Sequence, residues 1–438
     1  MSQNNEKTIK PSAVALLPIG VFLLLFIGVG AYLQSQGTHF AFYQLPSPVA
    51  ILPALALALV LSKEKLNHAI DSMIAGMGHS NIITMCLIYL LAGGFSVVAK
   101  ATGGVDAVVG LGLSIIPSWF LVPGIFIVSA FIATAMGTSM GTIAAVAPIA
   151  LGISQAAGVP EPLMAGAVLS GAMFGDNLSV ISDTTIAATR TQNCEMRDKF
   201  RENFWIALPA AIISLLVFWY LSGHAQIPHQ DFAIMPALPY IFILILAVVG
   251  VNVFAVLTLG IVLAGLSGII GADYAWMTFA KDIYKGFTGM QEIFILSLLI
   301  GGLSELMRRQ GGLAYLQRLV SKFVSLFGQN KGTAQLGIAL LVMLTNICTA
   351  NNTIAILIAG GVAKEVADEH EISGRRSASI LDIFACVIQG ILPYGAQVLL
   401  LGSLFKLSPL TISAMAIYPM LLGVVSLITL FVRHQKTA

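Results

Sequence analysis

Charged residues are scarce in this chain: Asp, Glu, Lys and Arg together make up 10% of its 438 residues. A soluble protein carries about 25% of such residues. Hydrophobic residues reach 57%, and apolar runs of roughly 18 residues or more recur from end to end, as in membrane-spanning helices. The sequence therefore predicts an all-α polytopic membrane protein surrounded by membrane lipid. Its formal net charge of +2 indicates no nucleic-acid partner.

The chain also has few cysteines and none of the motifs of common enzyme classes. Its four cysteines are scattered, and their spacing indicates neither a disulfide framework nor a metal site of cysteine ligands. We find no nucleophile, nucleotide-binding or metalloprotease motif in the sequence, so we expect a protein that is not an enzyme and has no cofactor. The first residues are polar and lack the pattern of a cleavable signal, so we expect the amino terminus to be retained.

Two stretches of the sequence repeat one another. The pattern T-x-x-x-T-x-x-x-T-I-A occupies residues 134–144 and returns at 345–355. Polar, Gly/Asn-rich tips in two corresponding halves of a membrane protein are typical of secondary transporters. The order of apolar runs then predicts these parts: repeat 1 over residues 1–222, with a helical hairpin at 119–157 and a broken helix at 163–189; an external linker at 223–236; and repeat 2 over 237–438, with a hairpin at 334–363 and a broken helix at 377–402.

The positions of the basic residues predict the orientation of the chain. With the amino terminus in the cytoplasm, 18 of the 22 Lys and Arg residues fall on the cytoplasmic side, an excess typical of the cytoplasmic loops of membrane proteins. Both termini are then cytoplasmic. Each repeat crosses the membrane an odd number of times outside its hairpin, so the two repeats have inverted topology, with about ten spans plus two re-entrant or spanning hairpins. The four external basic residues are Lys100, Lys281, Lys285 and Lys406.

A polar motif interrupts the apolar run of the first broken helix. Residues 174–185 contain two carboxylates, Asp176 and Asp183, and a carboxylate at the bilayer centre costs roughly 2.5–3.5 kcal/mol. We expect Gly175 to open the helix here, so that carboxylates, hydroxyls and freed carbonyls line a sodium site. Burial favours a protonated carboxyl group and a bound cation an ionised one, so these aspartates can exchange a proton for sodium. The predicted cation and proton ligands are Asp176, Asn177, Ser179, Ser182, Asp183 and Thr184, with Thr138 and Ser139 from the first hairpin tip.

An alternative interpretation of the two aspartates is that they cap helix ends near the interface, with the serines and threonines serving as local caps. The matching segment of the second half, 389–397, has glycine and proline but no carboxylate. It predicts a neutral hydrogen-bonding site for a polar solute, although interhelical hydrogen bonds are an alternative for its glutamines. The predicted solute contacts are Asn351, Asn352, Thr353, Gln389 and Tyr394.

The motif Gly175-Asp176-x-x-Ser179-x-x-Ser182-Asp183-Thr184-Thr185 resembles that of the NhaC family of sodium/proton antiporters, within the ion transporter superfamily. The resemblance implies an alternating-access transporter of the elevator type, often a homodimer. Two positions depart from the family pattern: Val180 replaces the usual proline, and Asn177 stands where a lysine is frequent. Relatives with the Gly-Asp-Asn form include amino-acid-permease-like proteins.

The sequence therefore predicts a sodium-coupled secondary transporter of the inner membrane, of the sodium/proton antiporter type, with sodium and protons as coupling ions. The alternative is sodium- or proton-coupled transport of an amino acid or a similar small zwitterion or carboxylate. A channel or a receptor is a third class, and two broken-helix sites of unlike chemistry argue against a continuous pore.

Overall fold

The computed structural model describes residues 10–38, 41–115, 117–222, 235–271, 274–327 and 330–432. Within these ranges the chain is helical and contains no strand. Nine of the described helices are long and apolar enough to cross a membrane, or ten if one pair bent by 44° is counted as a span. The protein is therefore a multi-pass membrane protein, as predicted. Residues 223–234, most of the predicted linker, lie outside the described part of the chain.

The described residues of the first half contain ten helices, which we number in chain order. They are α1 (Val14–Ser35), α2 (Ser47–Leu61), α3 (Leu66–Met77), α4 (Ser80–Ala101), α5 (Gly104–Ile115), α6 (Leu121–Met136), α7 (Ser139–Ala157), α8 (Glu161–Leu178), α9 (Asp183–Gln192) and α10 (Met196–Ser222). Helices α6 and α7 form the first hairpin, which we call hairpin one, and α8 and α9 are the two parts of the first broken helix.

The second half contains eleven helices in the described residues. They are α11 (Leu238–Val248), α12 (Val253–Gly271), α13 (Trp276–Gly289), α14 (Gln291–Arg309), α15 (Gly312–Phe327), α16 (Lys331–Thr349), α17 (Asn352–Glu369), α18 (Gly374–Ile391), α19 (Ala396–Phe405), α20 (Pro409–Ala414) and α21 (Ile417–Val432). Helices α16 and α17 form hairpin two, α18 and α19 form the second broken helix, and α20 with α21 corresponds to α10.

The two halves pack as approximate two-fold partners. Each helix of the first half corresponds to the helix of the second half whose number is ten higher, so that α3 corresponds to α13 and α4 to α14. Contacts between the halves are matched by contacts between the corresponding helices: α4 packs on α13 and α3 on α14, and likewise α9 packs on α17 and α7 on α19. Tyr89 of α4 and Ser297 of α14 occupy equivalent positions in the two repeats. Their hydroxyl groups share a hydrogen bond of 3.2 Å across the approximate two-fold axis. The fold therefore brings the corresponding broken helices and hairpins of both halves to one place.

The breaks arise from local chemistry. In the first, Ser182 leaves the helical conformation and its hydroxyl accepts the Thr185 backbone N–H at 3.2 Å, which starts α9. The freed carbonyl of Ser179 is satisfied by the Thr185 hydroxyl at 2.7 Å. In the second break, Pro393 lacks an N–H and disfavours a helical conformation at the residue before it, so α18 ends at Ile391.

The hairpin arms approach the thickness of the bilayer. Helices α7 and α16 each contain 19 residues, or about 28 Å at 1.5 Å per residue, against a hydrocarbon core of about 30 Å. Of the four arms, α6 with its preceding turn, α7 and α16 meet the length and hydropathy of a span. Both arms of hairpin one are therefore long and apolar enough to cross the membrane.

Candidate functional site

A chain of buried hydrogen bonds joins the two broken helices to both hairpin tips. The Ser139 hydroxyl, at the start of α7, donates to Asp176 Oδ2 at 2.8 Å and accepts from Gln397 Nε2 at 3.1 Å. Gln389 Nε2 donates to Gln397 Oε1 at 2.8 Å and to the carbonyl of Ala350, at the tip of hairpin two, at 3.3 Å. We call these residues the central polar chain, and Asp176 is its acidic end.

Asp176 and Gln389 are equivalent residues of the two repeats. Helices α8 and α18 each contain 18 residues, and both side chains stand at the same position, two residues before the end of the helix. Asp176 is 7% exposed and Gln389 is 1% exposed. The structure thus brings the carboxylate of one half and the amide of the other into one network.

Asp183 does not join this network. Its side chain is exposed in the first turn of α9, beyond the break, and makes no hydrogen bond or ion pair within the described residues. The structure thus does not bring the two carboxylates of the motif together. Its position agrees with the alternative interpretation of a residue that stabilises a helix end, because a negative charge in the first turn of a helix is favourable.

Gly175 has a different role from the predicted one. It remains helical inside α8, and the helix ends only at Leu178. A Cβ atom at Gly175 would lie 2.3 Å from the carbonyl oxygen of Ala130 on α6. The missing side chain allows α8 to approach hairpin one closely, which brings Asp176 within reach of Ser139.

The remaining predicted ligands of the first half are held by local contacts. Ser182 caps α9 and shares a hydrogen bond of 2.9 Å with Thr184, the Ser179 hydroxyl accepts the backbone N–H of Ile181 at 3.3 Å, and Thr138 caps α7. These hydroxyls build the loop conformations around Asp176. The Asn177 side chain faces away from Ser139, toward a second cluster described below.

The predicted solute contacts of the second half are partly used in packing. Asn351 caps α17 by accepting the Ile354 backbone N–H at 2.9 Å, and Tyr394, only 2% exposed, donates to the carbonyl of Ile347 at 2.7 Å. Asn352 and Thr353 are half-buried at the hairpin tip, where the Asn352 side chain accepts the Thr353 backbone N–H. Gln389 keeps its Oε1 atom without a hydrogen-bond partner in the described residues.

A buried ion pair lies on the other side of the first broken helix. Lys199 on α10 and Asp382 on α18 are 0% and 1% exposed, with Nζ 2.7 Å from Oδ2. Asn177 and Asn203 each donate an amide hydrogen to the same Oδ2, at 2.9 and 2.8 Å. We call these four residues the Lys199 cluster.

Sequence reasoning missed this pairing. It counted Lys199 among the 18 basic residues of the cytoplasmic side and assigned no partner to Asp382. Lys199 is instead buried, so that basic residue does not contribute to the charge excess of a loop. One signal was present: Asp382 lies in an apolar helix and needs a partner there, because an unpaired charge inside a membrane protein is costly.

Comparisons with known proteins agree with this architecture. The chain is 24% identical to the arginine/ornithine antiporter ArcD of Halobacterium salinarum over 92% of this chain and 87% of that protein. It is 26% identical to the Na(+)/H(+) antiporter NhaC of Bacillus subtilis, over 90% and 91% of the two chains. The malate-2H(+)/Na(+)-lactate antiporter of Bacillus subtilis is 26% identical over 72% of this chain and 67% of that protein.

A family model for the Na+/H+ antiporter family matches residues 4–222 and 229–432. The two matched segments contain both hairpins and both broken helices, and they include the motif around Asp176 that carries the resemblance. The chain therefore belongs to the Na+/H+ antiporter family.

Proposed function

We propose that this protein exchanges sodium ions for protons across the inner membrane, and that Asp176 carries either ion in turn. The observation that carries the proposal is the position of Asp176: a buried carboxylate that accepts a hydrogen bond from the Ser139 hydroxyl at a hairpin tip. Membership of the Na+/H+ antiporter family supports it, as does the similarity to NhaC of Bacillus subtilis.

A single carboxylate is enough to couple the two ions. Sodium takes oxygen ligands, and the ionised Asp176 carboxylate and the Ser139 hydroxyl supply them. A proton on the same carboxylate removes the negative charge that holds the cation, so the two ions compete for one site. Exchange follows if that site opens to one side of the membrane at a time.

The position of the site supports alternating access. Asp176 belongs to a broken helix and Ser139 to a hairpin, and the same elements of the other half complete the central polar chain through Gln389 and Gln397. Movement of these elements as a body would carry the site across the membrane, as in an elevator. The excess of basic residues on one side of the membrane supports a cytoplasmic location for both termini. From the family resemblance we also expect a homodimer.

A second candidate function is the exchange of an organic solute with an amino or a carboxylate group. Two buried side-chain oxygens near hairpin two, Gln389 Oε1 and Asn346 Oδ1, have no hydrogen-bond partner in the described residues and could accept the N–H groups of an amine. The ArcD relative, an arginine/ornithine antiporter, supports this candidate. The acidic end of the central polar chain favours the sodium/proton function.

The function is tested with purified protein in liposomes that contain a pH-sensitive dye. With an acidic interior, external sodium should raise the internal pH in the wild type. Asp176→Asn should abolish this response, because an amide neither releases a proton nor attracts a cation. Asp183→Asn is the matched control, since the same change at the exposed aspartate of the motif should leave most of the response.

Counterflow of labelled amino acids in the same liposomes tests the second candidate. Sodium-dependent pH changes that persist in Asp176→Asn would contradict the assignment of Asp176. A wild-type protein that moves an amino acid, and gives no pH response to sodium, would replace the proposed function with the second candidate.

A further inference from the structure

The ammonium group of Lys199 is surrounded by oxygen atoms from three different helices. Nζ lies 2.7 Å from Asp382 Oδ2 on α18, 3.0 Å from the backbone carbonyl of Asn177 on α8 and 2.7 Å from the Thr185 hydroxyl on α9. An ammonium group has three N–H donors, so these three contacts use all of them. The side chain has no exposed surface.

These oxygens are of the kinds that bind a hard metal cation. A carboxylate, a backbone carbonyl and a hydroxyl converge on one point next to the helix break, and protein sites for hard cations are built from such oxygen ligands. The Asn177 carbonyl lies in the last turn of α8, where the helix dipole adds partial negative charge. The Lys199 ammonium thus occupies a position with the chemistry of a cation site.

The cluster holds more acceptor oxygens than the lysine satisfies. Asp382 Oδ1, Asn177 Oδ1 and Asn203 Oδ1 are buried and have no hydrogen-bond partner within the described residues. Buried polar atoms are normally satisfied, so this surplus of negative partial charge favours a cation at the cluster.

The ion pair joins the two repeats, and the two-fold related positions carry no charge. Asp382 is the ninth residue of α18, and the ninth residue of α8 is Leu169; Lys199 is the fourth residue of α10, and the fourth residue of α20 is Ile412. Since the equivalent contact between the halves forms with apolar residues, the architecture does not require the ion pair.

We propose that Lys199 is a tethered cation that fills a second sodium site in this protein. The Lys199 ammonium neutralises Asp382 and excludes a free ion from the cluster, so that the sodium ion at Asp176 is the one exchanged. Lys199 then determines how many sodium ions the protein binds. This inference rests on the proposed sodium-coupled function.

The test is sodium binding to the purified full-length protein at alkaline pH, measured with radioactive sodium and compared among variants. Lys199→Met should bind one sodium ion more per chain than the wild type, because the vacated oxygens and the Asp382 carboxylate are released. Lys199→Arg keeps a cation in place and should bind the wild-type number. The double variant Lys199→Met/Asp382→Asn has no carboxylate in the cluster and should also bind the wild-type number.

Folding gives an independent readout, since Lys199→Met leaves a buried carboxylate without its partner. We expect this variant to be isolated folded in sodium buffer and to lose thermal stability in choline buffer, whereas the double variant should be equally stable in both. Lys199→Met that binds no additional sodium, or that is unfolded in sodium as well as in choline, would overturn the inference. A wild type that binds no sodium overturns the proposed function instead, and the difference between Lys199→Met and the wild type still decides the role of Lys199.

Discussion

At the scale of single residues, two aspartates of one motif have opposite environments. Asp176 lies in the last turn of α8 and contacts hairpin one, whereas Asp183 begins α9 on the far side of the break and is exposed. The break turns the chain between them, so their spacing in the sequence does not report their separation in space. One aspartate can therefore bind an ion while the other stabilises a helix end.

Gly137 forms the turn between the arms of hairpin one in a backbone conformation that favours glycine. Its φ of +69° lies in the left-handed region, where a residue with a Cβ atom pays about 1–2 kcal/mol. A Cβ atom there would also lie 2.8 Å from Ile181 Cγ1 in the break. We expect Gly137→Ala to lower the thermal unfolding temperature and to weaken sodium/proton exchange, because the turn carries Ser139.

The residue that follows the first arm of hairpin two in the same left-handed conformation provides the control. Ala350 has a φ of +49°, so Ala350→Gly removes strain while losing one buried methyl group, worth about 0.8 kcal/mol. The two effects oppose each other, and the thermal unfolding temperature should change little. Equal stability of Gly137→Ala and the wild type would show that the turn of hairpin one adapts without cost.

At the scale of elements, the two broken helices reach similar shapes by different means. The second break contains Pro393, which cannot continue a helix. The first has Val180 and no proline, and it forms because Ser182 caps α9 and Thr185 satisfies the carbonyl of Ser179. The first break therefore depends on side-chain hydrogen bonds, and one of its hydroxyls also contacts Lys199.

The contact between α6 and α8 sets the distance from Asp176 to hairpin one. Gly175→Ala would place a Cβ atom 2.3 Å from a backbone oxygen of α6, and relief requires a shift of one helix. Overpacking of this kind costs typically about 1–3 kcal/mol. We expect lower thermal stability and weaker apparent sodium affinity in liposome exchange, since Ser139 and Asp176 move apart.

A glycine without a close neighbour is the matched control for this substitution. Gly361 in α17 is exposed, and a Cβ atom added there would meet no other atom within 4 Å. Gly361→Ala should stabilise the helix by about 1 kcal/mol and leave sodium affinity unchanged. A similar stability gain in Gly175→Ala would refute the close-packing role of Gly175.

At the scale of the whole molecule, an approximate two-fold arrangement carries an asymmetric site. The repeats exchange their contacts, yet Asp176 corresponds to Gln389 of the other half. The Lys199–Asp382 pair, which joins the two halves, has no charged counterpart at the two-fold related positions. The fold thus supplies one position before each helix break, and it is occupied by a carboxylate, Asp176, in the first half and by a neutral amide, Gln389, in the second. This difference explains how a duplicated fold can provide a single exchange site.

The orientation of the whole chain is tested by labelling single cysteines, in a background without the native cysteines. Position 285 on α13 and position 195 before α10 are both exposed, and the distribution of basic residues places them on opposite sides. Lys285→Cys should react with an impermeant reagent in intact cells. Glu195→Cys should react only after permeabilisation, and the reverse pattern would invert the predicted topology.

The sequence by itself determined the class and the family, and it predicted two helical repeats and a cation site at the motif around Asp176. These properties depend on hydropathy and on short patterns, which are local along the chain. Tertiary structure alone decided that Asp183 is exposed, that Gly175 packs against α6 and that Gln389 joins the network of Asp176. It also decided that Asn177 meets Asp382, 205 residues away, because a charge buried in one helix is matched by whichever distant helix the fold brings to it.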